Sequence, residues 1–221
     1  MTTLELIVRT GFRVGNRRRR WQQHLIDLDI ERSESTELGW KHAGPDLGLI
    51  RHLDDPGQYF FVCVVKSPYA YIESLHRRPY QDLLPRRTSL DEFVNSPWDT
   101  VGRDNLDGRS LRSPVELWNL KVASYHELAA SVPNCMISRY EDIVADLSGF
   151  FDKLDAFLSM TASRINIETS TKGDDEMDFA SYAAKYTHYD PGKLGASVID
   201  SINHFLDHDL VKRAGYGIYA G

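Results

Sequence analysis

The stretch Tyr59-Phe60-Phe61-Val62-Cys63-Val64-Val65, followed by Lys66-Ser67-Pro68, decides how the chain folds. The first seven of these residues carry no charge, which predicts a strand covered on both faces, as in a parallel sheet. Ser67 can cap a helix and Pro68 can occupy its first turn, where the missing N–H costs nothing, so a helix is predicted from Pro68 towards Leu75. Lys66 then stands where strand gives way to helix, at the carboxyl end of a central strand, which is where open α/β sheets place their ligands.

The same alternation continues on either side. Upstream, Leu4-Glu5-Leu6-Ile7-Val8 and Gly11-Phe12-Arg13-Val14-Gly15-Asn16, with a polar and apolar stretch through Leu28, read as strand, glycine turn and helix. Downstream, residues 77–112 hold Pro79, Pro85, Pro97, Gly102 and Gly108 among charges, and read as an irregular excursion with one short helix at Leu90 to Val94. Ser113-Pro114-Val115-Glu116 has capping-box spacing, and Leu117, Leu120, Ser124 and Leu128 follow at helical intervals. Cys135 to Tyr140 reads as a third strand, with an amphipathic helix from Ile143 to Leu158 behind it. A polar segment from Glu168 to Asp178 precedes a final helix from Ala196 to Ala214, ended by Gly215. Strands alternating with helices predict one α/β domain over residues 1–221: a three-layer sandwich with a central parallel sheet wrapped on both sides.

Bulk properties narrow the partners. With 221 residues, 42% of them hydrophobic, the chain is long enough for one substantial core. A net charge of -6 and a pI near 5.7 exclude bulk attraction to nucleic acid or anionic lipid, so any anion site has to be local. Cys63 and Cys135 each sit in an apolar run and read as small core residues, in keeping with a cytoplasmic setting. The N-terminal residues contain no apolar run of the length a signal peptide or membrane span needs. No cysteine and histidine spacing fits zinc, and no acidic loop fits calcium.

Two constellations carry chemistry. Arg13-Val14-Gly15-Asn16-Arg17 lies where a strand opens through a glycine turn into a helix, a place that offers free amides and a positive dipole end to an anion. The Gly-Lys-Ser/Thr ending of a nucleoside triphosphatase loop is missing, and the plainer alternative is a turn before a surface helix. Lys66 and Ser74 form the second pair, able to hold a further phosphate, with a solvated strand end and a helix cap as the plainer alternative. The run Arg17-Arg18-Arg19-Arg20 points around a helix and forms no flat basic face, so only Arg17 and Arg18 are assigned to an anion. Tyr182, Tyr186 and Tyr189, with His188, either line a pocket or pack together.

Taken in order, Arg13-Val14-Gly15-Asn16, Trp40-Lys41-His42-Ala43-Gly44-Pro45, Lys66-Ser67-Pro68 with Ser74, and Arg139-Tyr140-Glu141-Asp142 resemble the sulfotransferases that use 3′-phosphoadenosine 5′-phosphosulfate. The resemblance runs from about Leu4 to Tyr216 and is weakest in the middle excursion and the late segment. It implies a P-loop NTPase-like fold in which Arg13, Val14, Gly15, Asn16 and Arg17 grip the 5′-phosphosulfate, with Arg18 of the arginine run beside them. Lys66 and Ser74 then hold the 3′-phosphate, with lysine where the family has arginine, which keeps the charge but loses the bidentate fork. Tyr140 resembles the family's tyrosine beside the adenine, and Lys172-Gly173 is the nearest match to its late phosphate motif. His42 resembles the family's base, with Lys41 and Arg13 neutralising the oxygens of the moving group; some relatives use a carboxylate instead, for which Glu37 or Asp46 would substitute. The implied acceptor is a hydroxyl or amine of a sugar, lipid glycan or small metabolite, and no metal is required. The alternatives are a P-loop-type small-molecule kinase and a non-catalytic nucleotide-binding module.

Overall fold

The computed structural model describes residues 43–53, 55–77, 79, 88–100, 104–106, 109–159, 169–170 and 177–221. The strand, turn and helix read over Leu4 to Leu28 lie outside them. A short helix α1 (Leu47–Arg51) opens the described chain, begun by Asp46, whose carboxylate accepts the Leu49 N–H at 2.8 Å. Strand β1 (Phe61–Val65) and helix α2 (Pro68–Arg77) follow where the apolar run and the Ser-Pro junction predict them. Inside the irregular excursion stand α3 (Leu90–Val94), opened by a reciprocal Ser89 and Glu92 cap, and a two-residue ribbon of β2 (Trp98–Asp99) with β3 (Ser110–Leu111). Helix α4 (Pro114–Ser131) then leads to β4 (Cys135–Arg139).

The sheet at the centre is β1 beside β4, parallel, with Phe61 opposite Cys135 and Val65 opposite Arg139. Pairing two strands in parallel needs a long crossover, and α4 forms its last part. After β4 come α5 (Tyr140–Ala145), α6 (Leu147–Leu158), a small ribbon of β5 (Thr169–Ser170) and β6 (Met177–Asp178), then α7 (Phe179–Thr187). A 3₁₀ turn over Pro191–Leu194 precedes α8 (Ala196–Phe205) and α9 (His208–Arg213). The described chain is thus α/β, with a two-stranded parallel sheet and many helices.

The main core lies between α2, α3, α4 and α8, where Tyr69, Ile72, Phe93, Trp98, Leu117 and Ile202 are at most 1% exposed. A smaller cluster of Ile50, Leu128 and Val132 packs on the sheet face that carries Phe61, Cys63 and Cys135. The expectation of a strand covered on both faces is corrected on the other side, where Val62 and Val64 stay 38% and 45% exposed. Phe60, beside them, meets Phe157 of α6 edge-on at 5.3 Å.

Three helix readings also change, each because an aspartate or glutamate side chain intervenes. The helix predicted over Ile143 to Leu158 is broken at Asp146, whose carboxylate accepts the Gly149 N–H at 2.8 Å and starts α6 afresh. Likewise the helix predicted from Ala196 to Ala214 is cut at Asp207, which caps α9 through the Leu210 N–H at 2.9 Å. At the start of α4, Ser113 caps Val115 as expected, but Glu116 turns to the Arg112 N–H at 2.9 Å and so does not close a capping box. Helix α7, which follows the segment read as polar and carries Tyr182 and Tyr186, was not anticipated. Among the described residues no helix is long and apolar enough to cross a membrane.

Candidate functional site at the strand ends

The carboxyl end of β1 is held by three hydrogen bonds from distant parts of the chain. Tyr216 sets its hydroxyl 3.0 Å from the Val65 carbonyl, the Trp118 indole N–H donates to the Lys66 carbonyl at 2.8 Å, and the Ser67 N–H donates to Glu141 Oε1 at 3.0 Å. Glu141, in the first turn of α5, is 9% exposed, and its other oxygen takes the Tyr216 hydroxyl at 2.6 Å. The single phenol proton serves chiefly this shorter contact, because a charged acceptor makes the stronger bond. Gly215, at φ +79°, ends α9 in the left-handed region and turns the chain so that Tyr216 can reach back to the sheet. Arg139 seals the corner: its guanidinium lies 4.6 Å from the Tyr216 ring centroid and donates to the Gly215 carbonyl at 3.0 Å.

Above this clamp the Lys66 side chain enters a group of tyrosines. Its ammonium lies 4.4 Å from the ring centroid of Tyr186 and 5.6 Å from that of Tyr140. The Tyr140 and Tyr186 rings meet edge-to-face at 5.2 Å, Tyr182 and Tyr186 lie 4.9 Å apart, and the Tyr140 and Tyr182 hydroxyls are hydrogen-bonded. Burial, and after it the neighbouring Tyr182 phenol, pushes the Tyr186 hydroxyl up to about 12 and raises Tyr140 as well. Burial, and next the Glu141 carboxylate, raises Tyr216. All three phenols are therefore neutral at physiological pH, so Tyr140 and Tyr186 present electron-rich ring faces to the cation and Tyr216 stays a proton donor.

Of the residues that the sequence nominates, the structure brings Lys66 and Tyr140 together. Ser74 stands half-buried on α2, and among the described residues no hydrogen bond joins it to either. Asp46, the described one of the two substitute bases, is engaged as the cap of α1. Arg13, Val14, Gly15, Asn16, Arg17, Arg18, Glu37, Lys41, His42, Lys172 and Gly173 lie outside the described residues. Tyr182 and Tyr186, read as lining a pocket or packing together, pack here around Lys66, whereas sequence reasoning missed the roles of Trp118, Glu141 and Tyr216. Glu141 lies inside the quoted Arg-Tyr-Glu-Asp segment, and its place one residue past a strand end was the available signal; Tyr216 and Trp118 offered none. Among the described residues no group of three or more His, Cys, Asp or Glu side chains is placed to hold a metal ion. A cleft of about 380 Å³ between α4 and α9, lined by His126, Glu127, Asp207 and Arg213 among others, shares no residue with the strand-end cluster.

What the arrangement can do follows from its parts: one ammonium, aromatic faces beside it and a fixed backbone at the carboxyl end of a parallel strand suit an anion attached to a flat ring system. Compared with known proteins, the chain matches no family model, no curated protein and no solved structure.

Proposed function

We propose that the chain is a sulfotransferase, moving a sulfuryl group from 3′-phosphoadenosine 5′-phosphosulfate to an acceptor hydroxyl or amine, on a P-loop NTPase-like three-layer sandwich. The observation that carries this reading is the Lys66 ammonium beside the Tyr140 ring at the carboxyl end of β1, a cation and an aromatic ring of the kinds that a ribose 3′-phosphate and its adenine call for. The residues present fit such a nucleotide in their chemistry, since a buried neutral Tyr140 puts no negative charge beside Lys66 that would repel the phosphate. Lys66 gives a point charge and no fork, so the amides and hydroxyls around it have to supply direction, and Ser74 is the assigned donor.

The donor, when bound, supplies the activated sulfuryl group. Arg13, Val14, Gly15, Asn16, Arg17 and Arg18 hold its 5′ end through amides and guanidinium groups, with Lys172-Gly173 as the late contribution to the 3′ side. His42 accepts the acceptor's proton as the acceptor oxygen or nitrogen bonds to sulfur. The sulfur–oxygen bond to the 5′-phosphate breaks with its electron pair going to that oxygen, and 3′-phosphoadenosine 5′-phosphate leaves. Arg13 and Lys41 neutralise the charge spread over the non-bridging oxygens, as phosphoryl transfer requires by analogy.

Calorimetry with 3′-phosphoadenosine 5′-phosphate against adenosine monophosphate tests the reading. One charge-assisted contact to the 3′-phosphate predicts a preference of roughly tenfold to a hundredfold for the doubly phosphorylated nucleotide. Equal affinity for the two overturns the assignment, and magnesium-dependent binding of ATP with none of the 3′-phosphorylated nucleotide replaces it with the kinase reading.

A further inference from the structure

Along α4, Ala123, His126, Glu127 and Ala130 are spaced as i, i+3, i+4 and i+7, which puts them on one face of the helix. That face is one wall of the cleft of about 380 Å³, and α9 with its cap residue Asp207 forms the other. Ala123 and Ala130 carry only methyl groups, so the wall is low on either side of His126, and the cleft has the room of a small-molecule site, for which roughly 300–1,000 Å³ is usual. Leu210, 7% exposed, adds an apolar side chain to the lining.

Two groups of the cleft lack a partner. The His126 Nε2 is shielded from solvent and meets no hydrogen-bond partner among the described residues, a state that costs a buried polar atom free energy. The exposed Arg213 guanidinium has no carboxylate within ion-pair distance among the described residues. Burial, and after it the charge of Arg213, holds the His126 pKa below the usual histidine value, so the ring is neutral at physiological pH and keeps one N–H to donate. A guanidinium fork beside a neutral ring N–H suits a carboxylate, whose two oxygens take the fork while one of them also takes the ring proton. The remaining charges define the rest of the ligand. Asp207 spends its carboxylate on the Leu210 N–H at 2.9 Å. Glu127 lies 3.5 Å from Arg51 of α1 and Asp209 lies 3.9 Å from Lys212, both exposed surface pairs of the kind that contribute little and exchange readily. Three carboxylates around one guanidinium repel a phosphate dianion and favour a molecule that carries a cation next to its own carboxylate.

We propose that the cleft between α4 and α9 binds a small α-amino acid, its carboxylate on Arg213 and His126 and its ammonium towards Glu127 and Asp209. The site shares no residue with the strand-end cluster, so it stands or falls independently of the sulfotransferase reading. The His126 ring resonance of the full-length protein, assigned with His126→Gln, reports on it directly. It is followed by NMR against pH at constant ionic strength, with L-alanine, acetate, methylammonium and inorganic phosphate as probes. A bound carboxylate offsets the charge of Arg213, so L-alanine is expected to raise the His126 pKa, to be taken up with a proton, and to bind more tightly as pH falls through that pKa. Contacts at both ends predict that L-alanine binds at least about tenfold more tightly than acetate or methylammonium. Arg213→Gln is expected to weaken L-alanine about tenfold or more, and Arg213→Lys, which keeps the charge without the fork, by less. Glu127→Gln is expected to weaken L-alanine and not acetate. Arg213 and Glu127 are exposed, and an unchanged urea midpoint in each variant confirms that the fold is retained. No saturable His126 shift with L-alanine overturns the proposal, as does an L-alanine affinity that Arg213→Gln leaves unchanged. Equal binding of L-alanine and acetate, or tighter binding of phosphate than of L-alanine, overturns the amino-acid assignment.

Discussion

Lys66 rests its ammonium on the Tyr186 ring at 4.4 Å, in a corner whose backbone is fixed by Trp118 and Glu141. A side chain held this way gives up rotamer freedom before any ligand arrives, which lowers the entropy that binding has to overcome. Lys66→Met, which keeps the stem and removes the charge, is expected to weaken 3′-phosphoadenosine 5′-phosphate roughly tenfold or more and adenosine monophosphate by less than about threefold, read by calorimetry. The phenols beside it set an alkaline limit. Tyr186 is raised from 10.0 to about 12 and Tyr140 is raised too, chiefly by burial. Below pH 10 folded and unfolded chains alike keep these protons. Between pH 10 and about 12 the unfolded chain releases them first, so stability is lost as pH rises through that window. The phenolate absorbance of the folded protein should lag behind that of the urea-unfolded protein and rise with the unfolding transition; a full, reversible titration of every tyrosine near pH 10 with the fold intact contradicts the burial of this group. Legibility at this scale followed locality. Lys66 stood out because a charge closed an apolar run, whereas Tyr186 gave no sign of facing it, because the contact joins the β1 terminus to a helix far along the chain that local sequence does not relate to it.

Where elements begin and end, short-range chemistry decides, and it was legible where a proline marks the first helical turn. The Pro68 and Pro114 starts were readable for that reason. The breaks at Asp146 and Asp207 were not, because apolar periodicity runs through each of them and outweighs a single aspartate in a pattern reading, although in the fold that aspartate takes an N–H of the next helix. Ser113 shows how much one such residue can organise. Fully buried, it accepts the Val115 N–H at 3.1 Å and donates to the Val94 carbonyl at 2.6 Å, joining the start of α4 to the end of α3. Ser113→Ala removes a cap and strands a buried carbonyl, so it is expected to cost about 2–3 kcal/mol, seen as a lower urea midpoint with an unchanged slope. Asp207→Ala at the exposed start of α9 loses only the cap and is expected to cost about 1 kcal/mol. A Ser113→Ala cost no greater than that of Asp207→Ala would show that the α3 and α4 junction does not depend on this hydroxyl.

Across the whole molecule, the strand-end cluster is where segments far apart in sequence are made to agree. The bonds that hold three consecutive residues of the β1 terminus span 151 positions to Tyr216, 52 to Trp118 and 74 to Glu141. No window of sequence contains such contacts, which is why the alternation of strands and helices was readable while the clamp was not. Tyr216 and Glu141 are its centre, because the phenol touches both the carboxylate and the Val65 carbonyl, and the carboxylate in turn holds Ser67. Removing either partner leaves a buried polar group short of a bond, so Tyr216→Phe and Glu141→Gln are each expected to cost about 1–3 kcal/mol. If the two act as one unit, the double variant costs less than the sum by about 1 kcal/mol or more, since the second change has nothing left to break. The clamp also carries the Lys66 peptide, so both single variants should weaken 3′-phosphoadenosine 5′-phosphate while leaving the Lys66 side chain itself untouched. Urea unfolding of the four proteins gives the coupling, and calorimetry on the same samples gives the second effect. Additive stabilities would mean that Tyr216 and Glu141 serve separate parts of the fold, and an unchanged nucleotide affinity in both variants would mean that Lys66 needs no fixed backbone to bind its anion.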